Sequence, residues 1–247
     1  KGRGNGDRDT IGSFSRNFNN AEETKVLKTH RTWDTLIHPR DIDETNHVAS
    51  ITNITRVMNE EQKFPEMDAE MITALYKLKN EQEAVIADDV LTVTNVLTKF
   101  DALMDKMDEA RVPAAGRLLY ADTYTKTLID TAKEAARNLS ATDTAVARSL
   151  DRIGEVEVIG VPTSAMKSAY TFKETDGFEV AAGAKDVKML LVHPSAVIPV
   201  IAYDFAELGA PSSLSKGKWT YFEESFEDVF IFNKKHAGIQ FYIEKSA

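Results

Sequence analysis

Side chains able to do chemistry are plentiful in this chain but scattered. Five histidines (His30, His38, His47, His193, His236) never fall four apart on a helix or in an H-E-x-x-H pattern, so no zinc-hydrolase pair forms along the sequence. His38 stands near Asp41, Asp43 and Glu44, which would hold a metal on paper, but a turn followed by a helix cap explains the same residues more simply. Gly2-Arg-Gly-Asn-Gly6 has the glycine density of a nucleotide loop, yet no strand precedes it and no helix opens after it. Ser215-Lys-Gly-Lys218 lacks the spacing and ending of a phosphate loop, and no serine sits in a G-x-S-x-G elbow. The chain has no cysteine, which excludes disulfides, thiol catalysis, iron–sulfur clusters and thiolate zinc sites. Adjacent carboxylates such as Glu60-Glu61, Asp88-Asp89 and Glu223-Glu224 read as helix-end or surface charge in an acidic protein. The residues therefore name no catalytic, cofactor or metal site. Weight moves toward a structural or binding role, with a soluble carboxylate-based hydrolase as the enzymatic alternative.

Bulk composition agrees with a folded chain. Its 247 residues are enough for one large domain or two small ones, and 43% apolar with 28% charged residues is ordinary globular content. A net charge of −9 argues against a protein that grips nucleic acid over its whole surface. No run of about 18 apolar residues is present to span a membrane. The first residue is Lys rather than Met, so an original N-terminus is expected upstream. Charge is unevenly spread: residues 1–31 hold seven basic residues against four acids, a net +3 that leaves −12 for the remainder. A basic arm on an acidic body points to an arm that lies on an acidic surface, its own or a neighbour's.

The elements that must position these charges are organised around Asp41–Asp68. Val48, Ile51, Ile54, Val57 and Met58 recur at steps of three and four, the spacing of one helix face. Asp43 or Thr45 is the expected cap, and Phe64-Pro65 the expected stop, because the residue before proline avoids the α region. Residues 1–20 are rich in Gly, Asn, Ser and Arg and read as loop or exposed ribbon; a two-stranded flap with its tip near Ser13–Asn20 fits residues 1–38. Such a flap is marginal in water by itself and needs something to lie on. Pro65 is expected to start a second helix carrying Met67, Met71, Leu75 and Leu78. Asp88 or Asp89 is expected to cap a third with the stripe Val93, Val96, Leu97, Phe100, Leu103, Met104 and Met107. Beyond Pro113 follow a short strand at Arg117–Tyr120, a helix capped by Asp122, a strand at Val156–Val161 and a strand at Asp186–Val192 buried on both faces. Ala206–Lys218 is turn-rich, and Asp228–Phe232 with Ile239–Glu244 reads as a terminal hairpin. Helices first, then mixed elements, give an α+β protein.

Three blocks carry a resemblance: D-x-DETN through F-P-E-M-D-A within Asp41–Ala69; Asp108–Arg117 with the strand after it; and Val158–Pro162 through Ala182–Lys185 and Val192–Ala196 to the last strands. In order and combination they resemble the major capsid proteins of tailed bacteriophages, in the version common in phages of Gram-positive hosts. The resemblance implies a long spine helix, a peripheral domain, an axial domain and an extended E-loop that reaches a neighbouring subunit. Placed on this chain, the E-loop takes residues 1–40 and the peripheral domain 41–112, with the spine helix at 46–63. The axial domain takes residues 113–205, and residues 206–247 return to the peripheral domain. It further implies no enzyme activity and no cofactor. The partners it implies are further copies of the chain in pentamers and hexamers, portal and scaffolding proteins, and double-stranded DNA enclosed without sequence-specific binding. The expected location is the virion, after assembly in the host cytoplasm. An encapsulin-like nanocompartment shares the fold and is the alternative. The basic residues Arg16, Lys25, Lys28 and Arg31 are then expected to meet a neighbour's acids at Glu60 and Glu61 on the helix, or at Asp41 and Glu44 in its lead-in.

Overall fold

The computed structural model describes residues 22, 24–45, 47, 50–140, 152–153, 156–173 and 177–245; the expected flap tip, the Gly2–Gly6 loop and Arg16 lie outside them. In chain order come β1 (His30–Ile37), α1 (Pro39–Glu44), α2 (Ile51–Met58), a π-helical turn (Asn59–Lys63) and α3 (Phe64–Gln82). Then follow α4 (Val96–Glu109), β2 (Leu118–Asp122), α5 (Thr123–Ser140), β3 (Arg152–Ile153) and β4 (Val156–Val161). The chain closes with β5 (Tyr170–Phe172), β6 (Phe178–Val180), β7 (Val187–Val192), β8 (Val197–Gly209), β9 (Trp219–Ile231) and β10 (Ile239–Ile243).

The helix expected to stop at Phe64-Pro65 does not stop. Its backbone stays helical through Met58, Asn59, Lys63 and Phe64, and α2 runs into α3 across the π turn. The reason lies in Pro65. In an α-helix its ring would collide with the carbonyl four residues back, and it offers no N–H in return. A π turn widens the helix just before the proline, with the Phe64 N–H reaching the carbonyl of Asn59, five residues back. The rod from Ile51 to Gln82 is roughly 48 Å long at 1.5 Å per residue. Its cap is Ser50, whose hydroxyl accepts the Asn53 N–H at 3.4 Å, not Asp43 or Thr45. Those two belong to the separate short helix α1 and its end, which His38 caps through Nδ1 to the Arg40 N–H at 3.2 Å.

The core is a five-stranded sheet in the order β10-β7-β2-β4-β3, covered on both faces. Strand β7 alternates between the two sides: Met189 and Leu191 pack with Phe100, Leu103 and Met107 of α4 and with Leu128 and Ile129 of α5. Val187, Leu190 and Val192 pack with Ile72 and Leu75 of α3 and with Ile239, Phe241 and Ile243 of β10. The apolar run at 187–192 is thus a strand buried on both faces, as its sequence implies. Asp122 caps α5 as expected, accepting the Thr125 N–H at 2.7 Å, and its other oxygen takes the Lys188 ammonium at 3.1 Å. The third helix begins at Val96 rather than near Asp89. Asp88 instead bridges to Glu244, just beyond β10, and binds Lys99, while Asn95 closes the preceding turn through the Thr92 N–H.

A second sheet, β1-β9-β8, is antiparallel throughout. Residues 30–37 pair with β9, and one expectation is corrected: the stretch expected as turn from Ala206 is strand as far as Gly209. Pro199 fits because β8 is an edge strand. The expected terminal hairpin is absent too: β9 ends the second sheet, a 3-10 turn at Asn233–Gly238 intervenes, and β10 joins β7 in the first. Every residue of β10 is buried, so it requires the two-sided cover that only the central sheet offers.

Gly238 makes that turn possible, since a Cβ there would lie 2.8 Å from the Cβ of Ala196. The neighbour is fixed to backbone and cannot swing away. Gly238→Ala is expected to cost about 1–3 kcal/mol in urea unfolding through overpacking. Gly160→Ala meets only the flexible Lys126 side chain and should stay within about 0.5 kcal/mol of wild type. Equal losses at both positions would contradict this account of the turn.

Candidate functional site

The second sheet leans on the junction of α2 and α3, and a groove of about 530 Å³ opens between them. Alternation along β1 turns Arg31, Trp33 and Thr35 toward the helix and His30, Thr32 and Asp34 outward. On β9 the inward residues include Glu223, Ser225 and Glu227. From the helix come Met58, Asn59, Gln62, Lys63 and Glu66. The widened π turn sets the upper wall of this groove.

Charge ties the groove together. Arg31 Nε lies 2.5 Å from Glu66 Oε1, and its NH1 donates to the Lys173 carbonyl at 2.9 Å. Lys63 pairs with Glu223, which also accepts the Tyr221 hydroxyl at 2.9 Å. Thr29 donates its hydroxyl to Glu70, and the Glu227 N–H reaches the Thr29 carbonyl at 3.2 Å. Burial pushes the Glu70 carboxyl up to about 7; the Thr29 hydrogen bond opposes this, while Glu227, Asp228 and Glu66 add to it. Glu227 is also raised, chiefly by burial, with Lys63 and Arg31 acting against the rise. Acids outnumber bases here, and the two bases are committed to Glu66 and Glu223. The arrangement holds a strand against a helix.

The expected contact residues fall as follows. Lys25 Nζ donates to Asn233 Oδ1 at 3.1 Å, and the Lys28 backbone N–H donates to Asp228 Oδ2 at 3.3 Å. Arg31 is held by Glu66. Glu44 pairs with Arg40 at 3.5 Å and Glu60 with Arg56 at 2.8 Å, both one helical turn away. Asp41 lies in the first turn of exposed α1, and Glu61 is exposed on the π turn. The partners described for Lys25, the Lys28 backbone and Arg31 are Asn233, Asp228 and Glu66, not Asp41, Glu44, Glu60 or Glu61. Sequence reading missed Lys63, Glu66 and Glu70 on the helix and Glu223 and Glu227 on the strand. Their signal was present: steps of three and four on the helix, and alternation on the strand, put charged residues on faces that turn inward.

Among the described residues two surfaces are only partly covered. Helix α2 is strongly amphipathic, yet it has no fully buried residue: Ile51, Ile54, Val57 and Met58 are only half-buried. The outer face of the second sheet is aromatic. Tyr203 and Phe205 stack 6.4 Å apart, Phe205 contacts Phe222 at 6.3 Å, and His30 stacks on Phe226 at 4.3 Å. Beside them Ile201 is 61% exposed, and Leu214 in the β8–β9 turn is 95% exposed. Patches of this kind mark interaction surfaces. Among the described residues no three potential metal ligands cluster, and no helix is long and apolar enough to cross a membrane.

No protein-family model matches the sequence, and no curated protein matches it either. Its fold is that of bacteriophage capsid subunits. The chain is similar to a subunit of the mature capsid of bacteriophage PhiM1, with a TM-score of 0.63 at 12% identity over 96% of this chain and 79% of that one. The capsid of cyanophage P-SCSP1u gives 0.61 at 11% identity, over 96% and 81% of the two chains. The head of Helicobacter pylori bacteriophage KHP40 gives 0.54 at 11% identity, over 89% and 75%.

The Glu70 carboxyl supplies a test of the groove. Its folded pKa, about 7, exceeds the ordinary 4.5, so the stability it contributes is complete below about pH 4.5 and is lost as pH rises through 7. Glu70→Gln removes the titration and keeps an acceptor for Thr29. The variant should melt about 2–4 °C above wild type at pH 8 and show little advantage at pH 5. Parallel melting curves against pH for the two proteins would refute the assignment.

Proposed function

We propose that this protein is the major subunit of a bacteriophage capsid, acting by self-assembly into a closed shell around the genome. The observation that carries the reading is the pairing of a capsid fold with surfaces that one subunit leaves uncovered, the apolar face of α2 and the aromatic face of the second sheet. Repeated heterologous contacts on such surfaces generate rings and closed shells. The resemblance to phages of Gram-positive hosts adds the finer picture. Residues 1–40 act as the E-loop, the long helix as the spine of the peripheral domain, and 113–205 as the axial domain. Residues 206–247 return to the peripheral domain in this reading. The role is structural. Portal and scaffolding proteins are partners in this reading, and the double-stranded DNA inside is enclosed without sequence recognition.

Negative-stain microscopy of purified, assembled protein tests the reading. Closed icosahedral particles containing DNA are expected, and a small soluble oligomer would overturn it. Particles holding a protein cargo and no nucleic acid would assign the chain to an encapsulin-like compartment instead.

Variants separate assembly from folding. Phe205→Glu on the outer sheet face should leave the melting temperature within about 2 °C of wild type and abolish particles. Lys25→Glu combined with Lys28→Glu should lower particle yield several-fold, because Lys28 is exposed and Lys25 half-buried on the arm. Arg31→Glu is the poorer probe, since it also breaks the Glu66 pair within the subunit. Normal particle yield from Phe205→Glu would remove the aromatic face from the assembly contacts.

A further inference from the structure

An acidic chain gathers three cations around one hollow. Where the end of α4, the 3-10 turn Pro194–Ala196 and the 3-10 turn Asn233–Gly238 meet, a pocket of about 320 Å³ is lined by Arg111, Lys234 and Lys235 and by no carboxylate. We propose that this pocket is an anion site that takes a phosphate group, from free phosphate or from a nucleic-acid backbone.

Four observations support it. First, the cations are not neutralised: among the described residues none of the three forms an ion pair, although the chain carries −9. Asp108 is already taken by buried Arg117, at 2.5 Å, which also holds the Val112 and Pro113 carbonyls at 2.6 and 2.9 Å and so fixes the pocket wall. Second, Arg111 has φ 57, the left-handed conformation that follows a helix end. Its N–H bonds the Asp108 carbonyl at 2.8 Å and the Val112 N–H bonds that of Met107 at 2.9 Å. Glycine is the favoured residue there, and a side chain costs about 1 kcal/mol. The negative end of the helix dipole accounts for one cation at that point. It does not account for two lysines delivered by a turn far along the chain.

Third, Lys235 is oriented in advance. Its ammonium donates to the Ser195 carbonyl at 3.2 Å and lies 5.1 Å from the centre of the Phe232 ring. Fourth, the floor is built from small residues packed tightly, with Gly238 against Ala196 and Val112, which leaves the hollow open above them. One guanidinium fork and two ammonium groups suit the several oxygens of a phosphate better than a single carboxylate. The site is local and of modest strength, so it is compatible with an acidic surface that does not hold nucleic acid overall. It stands independently of the shell reading.

The test uses the full chain and two variants. Arg111→Gly relieves the left-handed strain and should fold at least as stably as wild type, whereas Lys234→Ala with Lys235→Ala changes only exposed side chains. Calorimetric titration with inorganic phosphate, against sodium chloride at matched ionic strength, should give millimolar binding to wild type and at least a tenfold loss in both variants. Titration with a short random-sequence duplex DNA at low salt distinguishes the source. A nucleic-acid site predicts binding whose salt slope falls by about 0.9 for each cation removed, while a site for free phosphate predicts equal weak DNA binding by all three proteins. Unchanged phosphate affinity in both variants would overturn the proposal. So would variants that alter only self-association, which would assign the cations to a carboxylate of a second copy.

Discussion

The structure depends on how one helix passes a proline. Pro65 would break an α-helix at this point, and a break would separate α2 from α3. The π turn at Asn59–Lys63 absorbs the clash and keeps the two segments in one rod. The consequences differ along its length. The α3 half sends Ile72 and Leu75 into the central core. The junction carries Lys63, Glu66 and Glu70, which clamp the second sheet. The α2 half projects an apolar face that the subunit only half covers. One local deviation in hydrogen bonding therefore joins a core, a clamp and an exposed face in a single rigid element.

Much of the central body was legible in the sequence because local rules decide it. The α4 stripe, the apolar run of β7 and the Asp122 cap each needed only their own neighbourhood. The second sheet was not legible, for a physical reason. In β9 the alternation is inverted: Phe222 is exposed while Glu223 and Ser225 are buried. A rule that sends apolar residues inward assigns this strand the wrong face, or no strand at all. The charged inner face is tolerable because Lys63 arrives from 160 positions away to pair with Glu223, a long-range pairing that no window reveals. Inversion of this kind is itself informative, because a strand pays for inward acids and outward aromatics only if the outward face has use.

The candidate contact residues follow the same logic. Arg31 was marked as a charge that meets a neighbour's acid; within its own chain it pairs with Glu66. Glu66 was invisible as a partner because it sat beyond the expected helix stop. Once Pro65 no longer ends the rod, Lys63, Glu66 and Glu70 line up along it and the groove becomes apparent.

This bears on what would drive the proposed assembly. The Lys25 and Arg31 side chains already have partners within the subunit. A neighbour that recruited them would exchange one polar contact for another, and an exposed ion pair is worth only about 0–1 kcal/mol at best. Covering 400 Å² of apolar surface is worth roughly 10 kcal/mol at 25 cal/mol per Å², before the costs of association are subtracted. Affinity in the lattice must then come from α2 and the aromatic sheet face. The charges are left to set register and to disfavour wrong pairings. A shell built this way should be less sensitive to salt than its charge content suggests, because its strongest contacts are the ones that salt does not screen.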